Sequence, residues 1–211
     1  MKLNILKWCD DMITNLKENN IAFENGVAVM PKEFIYQDEV SMVSTYKYRN
    51  DIPDCLKKSS LLSYFMPDDN LFNRIKKIEV EIPIMKEYGG ICGFDMSPSV
   101  GMLRPRQRFS ILINSVFNAY CGLHGVKILP NSRVGDLGTM SMSKSFPEGV
   151  NFITGRHGCN LYGFKGYGLQ CRMLLLTFMT TYIKTLRKHH SEISVCSFAL
   201  QPKKWVSTPA I

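Results

Sequence analysis

The second half of the chain contains very few acidic residues. Residues 101–211 have 14 Lys and Arg against 3 Asp and Glu, a balance of +11, whereas residues 1–100 have 12 against 15, a balance of −3. Basic surfaces attract polyanions, because binding releases the counterions that surround them. The asymmetry predicts a nucleic acid or a nucleotide as the partner, although a basic surface that only maintains solubility gives the same pattern.

Long apolar runs and closely spaced cysteines are missing as well. No apolar run reaches the ~20 residues that a membrane-spanning helix needs, and the amphipathic N-terminus lacks the unbroken apolar core of a signal peptide. The seven cysteines are scattered and never spaced C-x-x-C, which disfavours a disulfide framework and a structural zinc site. These absences predict a cytoplasmic protein with no membrane partner.

The familiar catalytic motifs are also absent. The chain has no G-x-S-x-G and no H-E-x-x-H, and the glycines of residues 155–168 match neither phosphate-binding glycine motif. A serine nucleophile and a known nucleotide-binding loop are therefore not indicated. If the protein is an enzyme, acid–base or metal-assisted chemistry at Asp95 fits the sequence better.

Short apolar runs alternate with segments of helical length from about residue 56 onward. This alternation predicts β-α-β units, and hence a single α/β domain with a mainly parallel sheet and crossover helices, either a partial barrel or an open sheet. Residues 1–55 read as a helical and extended N-terminal segment that packs on the domain formed by residues 56–211. The region 70–90 favours a helix that is broken or kinked before Pro83. We expect about five strands, at 61–65, 91–95, 126–130, 150–154 and 193–200, and the clearest helix at 104–122.

Polar residues follow the predicted strands, at the ends where parallel α/β folds collect their functional groups. Arginine suits phosphate because its planar guanidinium makes two-toothed contacts, and serine or asparagine adds neutral donors. Asp95 is the candidate catalytic residue, as a general base, a metal ligand or a group that orients arginine. It also fits an N-cap or an Asx turn that opens the next helix. The candidate ligand-binding residues are Ser97, Ser99, Arg104, Asn131, Arg133, Arg156 and His157.

The motifs of the chain follow one another in a recognisable order. They lie in three stretches, "GGICGFDMSPSVGM", "GLHGVKILPNSRVGD" and "FPEGVNFITGRHGC". A strand ends in Asp and Ser, a helix leads to His-Gly and a strand ending in Pro, and a Pro-x-Gly turn precedes a strand ending in Thr-Gly. Over residues 60–200 this order resembles an uncharacterised family of α/β proteins, a domain of unknown function, from bacteria, phages and mobile elements. The chain departs from it at Arg133, where an aromatic residue is common, and in its last strand, which lacks a Tyr-Gly ending. The resemblance implies the α/β fold and a phage or mobile-element origin, but no catalytic residues.

Three functional hypotheses follow. The first is a phage or mobile-element protein in the host cytoplasm that binds a phosphate-bearing ligand, in replication or counter-defence. The second is a nuclease or phosphohydrolase in which Asp95, with Asp68 or Asp136, holds Mg²⁺ or Mn²⁺. The third is an inhibitor that binds a host protein through the basic face. The sequence does not indicate an oligomeric state.

Overall fold

The computed structural model describes most of the first 154 residues. The described ranges are 3–99, 101–131, 135–136, 138–139, 141–142, 146–147 and 149–154, together with the backbone of two later strands at 195–200 and 205–208. Residues 169–188, for which the sequence predicts a further long helix, lie outside them. None of the helices in the described part is long and apolar enough to cross a membrane.

The chain begins with helix α1 (Ile5–Glu18) and a small hairpin, β1 (Phe23–Glu24) and β2 (Val27–Ala28). The Asn4 side chain caps α1 by accepting a hydrogen bond from the Lys7 backbone N–H at 3.2 Å. The hairpin turns at Asn25 and Gly26, which have positive φ angles of 51° and 80°. An Asn-Gly pair is well suited to such a turn, because both residues tolerate the left-handed region. The local sequence therefore accounts for both the start of α1 and the turn of the hairpin.

Four parallel strands form the central sheet, in chain order. They are β3 (Met42–Thr45), β4 (Ser60–Ser63), β5 (Gly90–Cys92) and β6 (Ile128–Leu129). The last three are buried along their whole length, as expected for parallel strands that are covered on both faces. The predicted α/β fold with a mainly parallel sheet and an N-terminal helix is confirmed.

The pairing of strands continues beyond β6. Strand β7 (Phe152–Thr154) approaches the end of β6, where the Ile153 backbone N–H donates to the Pro130 carbonyl oxygen at 2.8 Å. β7 pairs in parallel with β8 (Val195–Leu200), and β8 pairs antiparallel with β9 (Trp205–Thr208). Some Cα atoms of β9 come within 8 Å of Cα atoms of β3.

Two details of the fold differ from the sequence prediction. One strand of the sheet, β3, lies inside residues 1–55, ahead of the first strand predicted from the sequence at 61–65. The region before β5 forms two helices, α3 (Asp68–Ile75) and α4 (Ile78–Glu87), after a short α2 (Asp54–Lys57). The break lies further upstream of Pro83 than the sequence suggests, at residues 76–77, and Pro83 itself sits inside α4. Proline removes one helical hydrogen bond, but α4 still buries a continuous apolar face against the core.

Helix α5 (Arg104–Leu123) runs through the core and confirms the helix predicted at 104–122. Its Ile113, Val116 and Phe117 are buried. The Phe117 ring stacks on Phe94, with ring centroids 3.8 Å apart. Tyr64 lies 5.9 Å from Phe94, and Tyr46 lies 5.3 Å from Tyr64, again between ring centroids. Since Tyr46, Tyr64 and Phe94 follow β3, β4 and β5, a row of aromatic rings lies just beyond the carboxyl ends of three strands.

We expect Phe117→Ala to lower the free energy of unfolding by about 3–5 kcal/mol, because it opens a cavity beneath this aromatic row. Val80→Ala, on the 64% exposed side chain of α4, should change it by less than about 0.5 kcal/mol. Urea denaturation followed by circular dichroism measures both changes. Equal effects of the two substitutions would contradict the assigned core.

Candidate functional site

The candidate site lies beyond the carboxyl ends of β5 and β6. Asp95 is the third residue after β5 and is 4% exposed, and Asn131 is the second residue after β6 and is also buried. The Asn131 side-chain amide donates a hydrogen bond to Asp95 Oδ1 at 2.8 Å. The structure thus brings together two of the residues that the sequence singles out, as expected for neighbouring parallel strands.

Helix α5 holds the chain that carries Asp95. The backbone N–H of Phe94 donates to Asn118 Oδ1 at 2.9 Å. Asn114 binds Met96 twice, since its Oδ1 accepts from the Met96 N–H at 2.8 Å and its Nδ2 donates to the Met96 carbonyl at 2.9 Å. The backbone on both sides of Asp95 is therefore fixed by buried amide side chains.

Gly93 lets the ends of β5 and β6 approach each other. A Cβ atom at position 93 would lie 2.8 Å from the Asn131 backbone nitrogen and 3.3 Å from Asn118 Nδ2. Contacts to Cβ as short as 2.8 Å require the backbone to move. The Asp95–Asn131 contact therefore depends on a residue without a side chain.

The end of β4 also reaches this region. Asp68 opens α3 after β4, and its Oδ1 accepts a hydrogen bond from the Ser97 backbone N–H at 3.3 Å. The interpretation of Asp95 as the N-cap of the next helix is wrong, because α5 begins only at Arg104 and has Leu103 at its N-cap. Asp95 instead lies in the non-helical segment between β5 and α5.

The first turn of α5 carries exposed arginines beside the segment that follows β6. The buried Gln107 accepts a hydrogen bond from the Asp136 backbone N–H at 2.8 Å and donates one to the Met102 carbonyl at 2.8 Å. The Arg104 guanidinium lies against Gly138, where an added Cβ would be 3.0 Å from Arg104 Cζ. No acidic residue occupies the first turn, and none of the ion pairs among the described residues involves an arginine of α5.

The remaining candidate ligand-binding residues either follow Asp95 along the chain or lie outside the described part of the chain. Ser97 is half-buried next to Asp95, and Ser99 is exposed between Asp95 and α5. Arg133, Arg156 and His157 are outside the described residues. Gln107 was not selected from the sequence. It lies between Arg106 and Arg108, which are exposed, so nothing in the sequence indicated that its side chain is buried.

Acidic and thiol groups near the site could serve two kinds of chemistry, metal binding and attack by a thiolate. Within the described residues, no group of three or more His, Cys, Asp or Glu side chains could hold a metal ion. Burial raises the pKa of the Cys92 thiol, and the nearby Asp95 carboxylate raises it further. Cys92 therefore stays protonated near neutral pH and is not poised as a nucleophile.

A second polar cluster lies at the ends of β3 and β4, and the sequence analysis missed it. The Glu81 carboxylate is 2% exposed and accepts hydrogen bonds from Arg74 at 2.7 Å, from the Tyr46 hydroxyl at 3.1 Å and from the Tyr64 hydroxyl at 3.3 Å. Burial and the Glu81 charge raise the pKa of Tyr64 well above its usual value. This cluster ties α3 and α4 to the first residues after two strands.

A signal for this cluster was present in the sequence. Ile78, Glu81, Ile82 and Met85 share one face of α4 by their three-and-four spacing, and all four are buried. An acid on an apolar helix face needs a buried partner, because an unpaired charge is too costly to bury. The spacing therefore predicts a partner for Glu81, although it does not identify Arg74 or the tyrosines.

Comparisons of the chain with family models, curated proteins and solved structures found no match. The family resemblance over residues 60–200 therefore stays a prediction.

We expect Asn114→Ala to lower the free energy of unfolding by about 2 kcal/mol or more, because it leaves the buried N–H and C=O of Met96 unpaired. Asn15→Ala on α1 is the matched control. The buried Asn15 Oδ1 has no hydrogen-bond partner among the described residues, so its removal should be nearly neutral. Urea denaturation measures both variants, and an equal loss of stability would show that the Asn114 bonds do not hold the segment around Asp95.

Proposed function

We propose that the protein binds a phosphate-bearing ligand, a nucleic acid or a nucleotide, at the carboxyl ends of the strands. The observation that carries this proposal is the acid-free, arginine-bearing first turn of α5, positioned beside the segment that follows β6. It supports anion binding because Arg104 and Arg106 are exposed and make no ion pair with any described residue.

The position of these arginines is unusual for a helix. The amino end of a helix carries a partial positive charge, so cations there are unfavourable and acidic residues are preferred. α5 has Arg104 and Arg106 in this place, and no side chain caps its end. A bound phosphate would offset both the helix dipole and the guanidinium charges.

The groups around Asp95 fit a supporting role in this proposal. Ser97 and Ser99 supply hydroxyl donors, and Asn131 supplies an amide that Asp95 already orients. A carboxylate repels phosphate, so Asp95 acts by positioning donors rather than by touching the anion. Arg133, Arg156 and His157 complete the proposed set of ligand-binding residues.

The biological setting is part of the same proposal. The family resemblance supports a phage or mobile-element protein that acts in the cytoplasm of the host, in replication or in countering host defence. The +11 balance of residues 101–211 supports a polyanionic partner over a neutral one.

A thermal-shift screen tests the ligand class. It covers mononucleotides and short single- and double-stranded DNA and RNA, with and without Mg²⁺ or Mn²⁺, at low ionic strength. We expect the bound ligand to raise the melting temperature, since a ligand at a hundred times its dissociation constant adds about 2.7 kcal/mol of stability. The double variant Arg104→Ala/Arg106→Ala should bind that ligand about tenfold more weakly or worse, because it loses charge-assisted hydrogen bonds.

The control for this experiment removes two positive charges elsewhere. Lys7→Ala/Lys17→Ala on α1 has the same net charge as the arginine variant and should bind nearly as tightly as the wild type. Equal binding by the arginine variant and the wild type would reject the first turn of α5 as the binding site. The absence of a shift with every ligand would reject the proposed function itself.

Asp95→Asn distinguishes a positioning role from a structural one. We expect it to weaken ligand binding severalfold, since an amide at position 95 no longer orients the Asn131 amide as a charged acceptor does. Affinity is measured by isothermal titration beside the melting temperature of the free protein. A lower melting temperature with unchanged affinity would mean that Asp95 only stabilises the fold.

A further inference from the structure

The turn that follows β3 alternates aromatic and basic residues. Its sequence is Tyr46-Lys47-Tyr48-Arg49, within a 3₁₀ segment that spans Tyr46–Asp51. Because β3 is parallel to β4, β5 and β6, this turn lies at the same edge of the sheet as Asp95 and Asn131. The function proposed above uses none of its residues.

Tyr48 is the exposed aromatic residue of this turn. Its side chain is 47% exposed, and it is the one aromatic among the large exposed hydrophobic residues of the described part of the chain. The Lys47 ammonium lies 5.2 Å from the centroid of its ring. An aromatic face with a cation beside it is the arrangement on which unpaired bases stack while their phosphates are neutralised.

Arg49 is fixed in place by contacts other than an ion pair with a described residue. Its guanidinium lies 4.3 Å from the Tyr46 ring centroid and donates a hydrogen bond to the Tyr46 carbonyl at 3.1 Å. The Tyr88 hydroxyl donates to the Arg49 carbonyl at 2.9 Å, which anchors the backbone of the turn. Arg74 stacks on the same ring but pairs with Glu81, whereas no ion pair of the described residues uses Arg49.

A purely structural role explains only part of this arrangement. Tyr46 is buried and binds Glu81, and Arg49 covers the Tyr46 ring, so both contribute to the fold. Neither the exposure of Tyr48 nor the charge of Arg49, which forms no ion pair with a described residue, stabilises the fold in a comparable way. Both features suit a ligand that presents a flat ring and a phosphate.

We propose that the turn Tyr46–Arg49 binds single-stranded nucleic acid, with a base stacked on Tyr48 and phosphates contacted by Lys47 and Arg49. A base offers its flat face only when it is unpaired and unstacked, which selects a single strand over a duplex. This inference rests on the proposed function, because it extends the same phosphate-bearing ligand along the edge of the sheet.

The test measures fluorescence anisotropy with two labelled probes, a twelve-nucleotide oligo-dT and an abasic strand of the same length. Tyr48→Ala should weaken binding of oligo-dT roughly five- to a hundred-fold, the usual effect of losing one stacked base. It should leave binding of the abasic strand unchanged, since that strand has phosphates but no bases. Tyr48→Phe keeps the stacking face and should bind oligo-dT as tightly as the wild type.

The roles of Lys47 and Arg49 are tested by the salt dependence of the affinity. Arg49→Gln and Lys47→Gln should each weaken binding of both probes and reduce the slope of log affinity against log salt by about 0.7, the value for one phosphate contact in a single strand. Lys17→Gln is the matched control, because Lys17 also lies over an aromatic ring, that of Phe23, at 5.7 Å, but on α1. It should change neither the affinity nor the slope, and the melting temperature of each variant confirms folding.

The outcomes separate this inference from the function on which it rests. Loss of oligo-dT binding in Tyr48→Ala, with the abasic strand unaffected, supports the inference even where Arg104→Ala/Arg106→Ala has no effect. Ligand binding that depends on Arg104 but not on Tyr48 or Arg49 overturns the inference and keeps the function. An equal loss of both probes in Tyr48→Ala overturns the stacking role, and no binding of either probe by the wild type overturns the inference entirely.

Discussion

The hydrogen bonds from α5 to the chain beyond β5 are the constraint on which the site depends. The segment after β5 leaves the sheet while it is still buried, so its backbone groups need partners other than a neighbouring strand. Asn118 provides the partner for Phe94, and Asn114 provides both partners for Met96. One helix thus fills the core with its apolar side chains and positions Asp95 with its buried amides. The two roles are coupled, because any shift of α5 in the core moves the backbone beside Asp95.

Beyond the strand ends, the apolar core gives way to polar groups over a very short distance. The aromatic rings of Tyr46, Tyr64 and Phe94 form the boundary, and each follows a strand directly or nearly so. Two of these residues are tyrosines whose hydroxyls reach Glu81, so the same side chains close the core and hold a buried carboxylate. Arg74 completes that cluster, because its Nη1 lies 2.7 Å from Glu81 Oε1 and its positive charge balances that carboxylate. The boundary is therefore held by both ring packing and charged hydrogen bonds, which would help to preorganise the proposed binding groups above it.

The sequence predicted those features that a regular pattern carries. The three-and-four spacing of residues 104–122 gave α5, and the rule that parallel strands collect polar groups at their carboxyl ends placed Asp95 near Asn131. Strand β3 was missed because half of it, Ser44 and Thr45, is polar and only its pairing with β4 identifies it. The break between α3 and α4 was misplaced, because burying Ile78, Ile82 and Met85 outweighs the helical hydrogen bond that Pro83 cannot make. Gln107 and Glu81 required the tertiary structure, since their burial depends on partners distant in sequence.

The shared edge of the sheet bears on the size of the ligand that the proposed function requires. Neighbouring strands lie about 4.8 Å apart, so the turn after β3 and Asn131 after β6 are separated by three strand spacings, on the order of 14 Å. The first turn of α5 and Arg49 provide positive charge towards the two sides of this edge, and none of these arginines forms an ion pair with a described residue. Tyr48 adds a ring next to Arg49. A mononucleotide concentrates its charge on one short chain of phosphates, whereas a polymer repeats bases and phosphates at regular intervals. For the proposed ligand, basic residues that are separated along this edge, together with an exposed aromatic ring, therefore suit a nucleic-acid polymer better than a mononucleotide.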